Sequence, residues 1–107
     1  MTQPALACDL GALSSEERAR RSELQSRVAG RFGEIQEIVD GYAARLPADP
    51  QLVRDAVEWL LLERRCCPFL RLEVSLEAAE GPVWVRFGGS PAVKEFLAGA
   101  GFIARRG

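Results

Sequence analysis

The sequence predicts an α+β protein in which two β-hairpins form a four-stranded antiparallel sheet and three helices cover mainly one face of it, in the order α-β-β-α-β-β-α. Three observations lead to this prediction: capping signals before each helix, apolar residues at helical spacing in mid-chain, and apolar/polar alternation in a later segment. The 107 residues are 48% hydrophobic and 27% charged, a size and composition that suit one globular domain. We therefore expect residues 1–107 to form a single domain.

Three segments carry the signals that start a helix. The stretch from Ser14 to Glu17 has the Ser-x-x-Glu spacing of a capping box, which predicts a first helix from about Ser15 to Ala29. Asp49-Pro50 and Ser90-Pro91 each place a capping side chain before a proline that suits the first helical position. The second helix also has a stripe of apolar residues at the spacing of a buried face, formed by Val53, Ala56, Val57, Leu60 and Leu61.

Two segments predict β-hairpins. The first runs from Ile35 to Leu46, where Asp40-Gly41 suits a two-residue turn with positive φ at both positions and places Val39 opposite Tyr42. In the second, apolar residues recur at every other position on both sides of Glu80-Gly81-Pro82, so one face should be buried. These apolar residues are Leu70, Leu72, Val74, Leu76, Val83, Val85 and Phe87.

A charged, cysteine-containing segment, Glu63-Arg64-Arg65-Cys66-Cys67-Pro68-Phe69-Leu70, joins the second helix to the second hairpin. Pro68 lacks a backbone N–H and disfavours helical geometry at the preceding residue, so the helix should end at about Cys66 or Cys67 and the strand should start near Phe69. Two adjacent thiols therefore lie where the chain changes direction. At the ends of the chain, we expect residues 1–12 to be a segment that carries Cys8 and residues 103–107 to be a loose tail.

Composition narrows the functions open to this chain. It has no histidine, so a metal site or catalytic centre must rely mainly on sulfur and carboxylate groups. A formal net charge of -1 argues against a nucleic-acid partner. We find neither an export signal nor a membrane span, so we expect a cytoplasmic protein with no membrane partner. In such a chain, three cysteines are more typical of ligands or reactive thiols than of structural disulfides, and we expect three free thiols.

The cysteines are the candidate metal ligands. With the chain bending at Pro68, Cys66 and Cys67 can approach one ion, and Cys8 is the only other cysteine that could complete a trigonal set. Three thiolates without histidine favour soft ions such as Hg(II), As(III), Sb(III) or Cu(I), whereas Zn(II) needs a carboxylate or a water as its fourth ligand. Such a three-sulfur site requires the N-terminal segment to fold back over the end of the helix.

Four charged residues near the cysteines are candidate additional ligands or neighbours of the ion: Asp9, Glu63, Arg64 and Arg65. Asp9 or Glu63 could supply the fourth ligand to Zn(II), and Glu63 lies on the same side of the last helical turn as the vicinal cysteines. The two arginines favour thiolates, whereas the partial negative charge at a helix C-terminus opposes them. We therefore expect thiols that ionise when a metal binds rather than a permanently nucleophilic cysteine.

Two other classes of function stay open. In a thiol enzyme, Cys66 and Cys67 would cycle between a dithiol and a disulfide, or a thiolate pair with Asp9 as proton donor would cleave a carbon–mercury bond. In a structural or interaction domain, the cysteines would be inert, small apolar residues. Such a domain would be a monomer or a homodimer formed through an uncovered sheet face.

Cys8-Asp9-Leu10, the capped first helix and the segment from Glu63 to Leu70 resemble a family of small, largely uncharacterised bacterial proteins. These proteins share a Cys-Asp-Leu and a Glu-Arg-x-Cys-Cys-Pro-Phe pattern and are loosely associated with mercury and arsenic resistance. The resemblance extends from about Cys8 to Phe96. It implies that Cys8, Cys66 and Cys67 act together on a heavy-metal ion, which the protein would sequester or pass to a metal-handling or resistance protein.

Overall fold

The structure, a computed structural model, describes residues 6–101 and contains the predicted order of elements. A short 3₁₀ helix at Leu10–Ala12 precedes the first α-helix. The remaining elements are α1 (Ser15–Ala29), β1 (Ile35–Ile38), β2 (Gly41–Leu46), α2 (Pro50–Cys66), β3 (Arg71–Leu76), β4 (Val83–Gly88) and α3 (Pro91–Ala98). The α+β prediction is thereby confirmed, whereas the predicted tail at residues 103–107 lies outside the described residues.

The helices begin where the capping signals predicted. The Ser14 hydroxyl accepts a hydrogen bond from the N–H of Glu17, whose carboxylate accepts one from the N–H of Ser14, so the capping box is complete. Asp49 accepts a hydrogen bond from the N–H of Leu52, and Ser90 accepts one from the N–H of Val93. Each of the two prolines then occupies the first turn of its helix.

The four strands pair in the order β1-β2-β4-β3, so the two hairpins meet along β2 and β4. Phe87 pairs with Tyr42 on one side and with Leu72 on the other, which places all three side chains on the same face. All three helices contribute to the core on this face, at whose centre the rings of Phe32, Trp59 and Phe87 pack together. Within residues 6–101, no helix is both long and apolar enough to cross a lipid bilayer.

The predicted turn of the first hairpin is wrong. Ile38 pairs with Gly41, so the two-residue loop consists of Val39 and Asp40, and the Val39 side chain is 97% exposed. Gly41 is required within β2 because a Cβ atom there would lie 1.8 Å from the carbonyl oxygen of Phe87. This glycine therefore permits close packing against β4 rather than a turn with positive φ.

Part of the predicted apolar faces is exposed. On α2, Val57 and Leu61 are 42% and 54% exposed, because the buried stripe of this helix is centred on Ala56, Trp59 and Glu63. At the end of β3, Leu76 is also exposed. The spacing of the apolar residues thus predicted the helix and the strands correctly. Which face of α2 is buried depends instead on how α1 packs onto it.

Candidate functional site

The vicinal cysteines lie at the end of α2, as the sequence predicted. Cys66 is the last helical residue, and the N–H of Cys67 donates the final helical hydrogen bond to the carbonyl of Glu63 over 2.7 Å. Cys67 then leaves the helical conformation, with φ -123° and ψ 69°, immediately before Pro68. Both cysteines are fully buried, and β3 begins only four residues after Cys67, at Arg71.

The N-terminal segment folds back over this helix end. The N–H of Asp9 donates a 2.7 Å hydrogen bond to the carbonyl of Cys66. This carbonyl belongs to the last turn of α2, where the helix itself provides no donor. The guanidinium of Arg65 donates to the carbonyl of Ala12 over 3.2 Å. Leu13 is buried against Cys66 and Cys67 in a small apolar cluster that also includes Cys8. The fold therefore brings all three cysteines together.

Cys8 and Cys67 form a disulfide, and Cys66 is the free cysteine. This corrects the expectation of three free thiols. The Cα atoms of Cys8 and Cys67 are 4.6 Å apart, within the range that a disulfide requires. The Sγ atoms of the neighbouring Cys66 and Cys67 are instead 3.8 Å apart and not bonded to each other.

A buried carboxylate completes the cluster. Glu63 is 5% exposed, and one of its oxygens lies 3.6 Å from the Sγ of Cys67. Arg21 of α1 neutralises this carboxylate by donating two hydrogen bonds, from Nη2 to Oε1 over 2.7 Å and from Nε to Oε2 over 2.9 Å. One ligand atom from each of Cys8, Glu63, Cys66 and Cys67 lies within 4.8 Å of all the others.

The environment of Cys66 favours the protonated thiol. Burial raises the pKa of Cys66, and the negative charge of Glu63 raises it further, whereas the nearby Arg21 guanidinium opposes both effects. Cys66 is therefore not an activated nucleophile in the disulfide-bonded protein.

The other predicted site residues, Asp9, Arg64 and Arg65, are exposed and lie outside the cluster. Asp9 is exposed, and its carboxylate accepts a hydrogen bond from the N–H of Gly11 over 3.0 Å, so it caps the 3₁₀ helix. Arg65 forms an ion pair with Glu17 and holds the N-terminal segment. Arg64 is exposed and lines a groove between α2 and β3. Of the four charged candidates, only Glu63 contributes to the cluster of possible ligand atoms.

Sequence reasoning missed Arg21. No periodicity distinguishes it from the neighbouring arginines of α1, and only the packing of α1 onto α2 places it against Glu63. The sequence indicated a partner for Glu63 only indirectly. A glutamate on the buried side of α2 requires a nearby cation, because an unpaired buried carboxylate is very unfavourable. In comparisons with protein-family models, curated proteins and solved structures, no match to the chain was found.

Proposed function

We propose that the reduced protein binds a thiophilic metal or metalloid ion, such as Hg(II) or As(III), through Cys8, Cys66 and Cys67, in order to sequester or transfer it. The observation that carries this proposal is the convergence of three sulfurs and one carboxylate oxygen within 4.8 Å. Two of the sulfurs, those of Cys66 and Cys67, are fully buried, so a bound ion would be shielded from competing ligands in solvent.

The spacing of the Cys66 and Cys67 sulfurs suits a thiolate-bound ion. A metal–sulfur bond of about 2.3 Å separates two sulfurs by about 3.8 Å in tetrahedral geometry and by about 4.0 Å in trigonal planar geometry. The Sγ atoms of Cys66 and Cys67 are 3.8 Å apart. Both oxygens of Glu63 already accept hydrogen bonds from Arg21, which favours ions that need only three sulfurs over Zn(II), which needs a fourth ligand. Sb(III) and Cu(I) can also be held by three sulfurs without a fourth ligand.

Reduction must precede binding, because Cys8 and Cys67 offer no thiolates while they are joined. Two equivalents of a small thiol, oxidised to their own disulfide, would supply the two electrons and two protons that this requires. We place the protein in the cytoplasm, where the thiol pool keeps most cysteines reduced. The disulfide would then form when that pool becomes oxidised.

Titration of the phosphine-reduced protein with arsenite should show one tightly bound ion per chain, whereas the oxidised protein should bind it weakly. Serine at any of Cys8, Cys66 or Cys67 should reduce affinity by at least about tenfold, and double substitutions should add little, because ligands of one site fail together. Affinity for arsenite should change little with pH near neutrality, because the three thiol protons leave as water with the hydroxyl groups of As(OH)₃. Unchanged affinity in the Cys8→Ser protein would remove Cys8 from the site.

A second candidate function is thiol–disulfide exchange, which the disulfide beside the free Cys66 favours. The Cys66 thiolate would attack the Sγ of Cys67, form a Cys66–Cys67 disulfide and release Cys8 as a thiolate, with no net oxidation. The raised pKa of Cys66 disfavours this attack at neutral pH. Cleavage of a carbon–mercury bond with Asp9 as proton donor has less support, because that carboxylate caps the 3₁₀ helix.

A further inference from the structure

A cavity of about 170 Å³ lies directly beside the disulfide, between the ends of α2 and α3. Most of its wall is apolar, and the side chains that form this part are Leu70, Phe87, Phe96, Leu97 and Ala100. At one end it is bounded by Cys8 and Cys67, with Glu63 and Arg21 next to them. The free cysteine, Cys66, is not among the residues that line it.

The size and lining of this cavity match one small organic group. An apolar cavity of about 150 Å³ in a protein core is large enough to bind benzene. The charges nearest to it, on Arg21 and Glu63, already satisfy each other through two hydrogen bonds. The cavity therefore offers mainly dispersion contacts to an apolar ligand, and besides this ion pair the polar side chain in its wall is that of Gln25.

We infer that the reduced protein binds organic derivatives of a thiophilic element. One aryl or short alkyl group of the ligand fills this cavity, and the element itself bonds to Cys8 and Cys67. The inference rests on the proposed function, because the reduced thiols must first be shown to bind such elements. Trivalent arsenic forms three bonds, so one organic substituent leaves two for thiolates, and two cysteines line the cavity. Inorganic As(III) has no such substituent and requires Cys66 as its third ligand.

The binding step balances without a change in oxidation state. An arylarsonous acid, RAs(OH)₂, reacts with the thiols of Cys8 and Cys67 to give RAs(S-Cys8)(S-Cys67) and two molecules of water. The two As–O bonds break as the two As–S bonds form, and the thiol protons leave with the hydroxyl groups. The disulfide must have been reduced beforehand by a small thiol or, in the experiment, by a phosphine.

The test compares phenylarsine oxide with arsenite on the phosphine-reduced full-length protein. Cys66→Ser should retain affinity for phenylarsine oxide within a few fold while losing affinity for arsenite by at least about tenfold. Ala100→Phe, which fills the cavity, should lower affinity for phenylarsine oxide by at least about tenfold and leave arsenite binding nearly unchanged. Ala92→Phe is the matched control, since Ala92 is an exposed alanine of α3 that does not line the cavity.

Each ligand reports on a different claim. If phenylarsine oxide binds Ala100→Phe as tightly as wild type, or if it requires Cys66 as strongly as arsenite does, the inference about the cavity is wrong while the three-sulfur site stands. If arsenite fails to bind the reduced wild-type protein, the proposed function is wrong. Circular dichroism of both phenylalanine variants shows whether each is folded, and Leu97→Phe fills the same cavity from a second position should Ala100→Phe unfold.

Discussion

Replacing Arg21 with alanine is expected to lower the free energy of unfolding by about 3–5 kcal/mol, because it leaves the carboxylate of Glu63 buried without its cation. The two side chains of this pair are only 17% and 7% exposed, so water is a poor substitute for the lost partner. Desolvation makes the charged carboxylate costly, and the two hydrogen bonds from Arg21 now offset that cost. Urea-induced unfolding of the oxidised protein at neutral pH measures the difference.

The neighbouring residue provides a matched control. Arg20 also joins α1 to α2 through two hydrogen bonds to a carboxylate, that of Glu58, but these side chains are 38% and 45% exposed. Arg20→Ala should therefore cost less than about 1 kcal/mol. Equal losses in the two variants would show that Glu63 is accessible to water. A double variant, Arg21→Met with Glu63→Leu, should recover much of the loss, because it removes both charges.

Reduction of the Cys8–Cys67 disulfide is expected to lower the free energy of unfolding by about 4 kcal/mol. The two cysteines are 59 positions apart, and a cross-link that closes a loop of this length removes conformational entropy from the unfolded chain equivalent to about that energy. Cys8→Ser should have a similar effect in the absence of reductant. The N-terminal segment would then be held mainly by its hydrogen bonds to Cys66 and Arg65.

Serine variants identify the bonded pair. Cys66→Ser retains Cys8 and Cys67, so a reductant should still lower its stability by about 4 kcal/mol. Cys8→Ser should be insensitive to reductant. If Cys8→Ser instead forms a bridge between Cys66 and Cys67 in its folded state and keeps its response to reductant, the pairing described here is not the one that stabilises the protein. Peptide mapping under non-reducing conditions identifies the bridge in each variant.

Local signals in the sequence were sufficient for the order of the elements and for the starts of the helices. Capping side chains at Ser14, Asp49 and Ser90 act on the helix that follows them, so their effect can be recognised without knowledge of tertiary contacts. The register of the first hairpin could not be obtained in this way. Gly41 resembles a turn glycine in the sequence. A glycine is needed there because a side chain would collide with the carbonyl of Phe87, which is distant along the chain.

The cysteines and the glutamate of the candidate site were predicted, but the disulfide between two of the cysteines was not. Cys66 and Cys67 were placed by Pro68, a local effect, whereas the position of Cys8 depends on backbone hydrogen bonds between the N-terminal segment and the helix end. The disulfide follows from that docking and has no signature in the spacing of the cysteines. Arg21 and the cavity beside Cys67 arise where α1 and α3 meet α2, so neither could be identified from one segment alone.

X-ray absorption spectroscopy of the complex between arsenite and the reduced protein tests most directly whether Cys8, Cys66 and Cys67 form one site. We expect three sulfur neighbours around arsenic in the wild-type protein, and two sulfurs with one oxygen in the Cys8→Ser protein. Two sulfur neighbours in the wild type, unchanged by Cys8→Ser, would contradict this expectation.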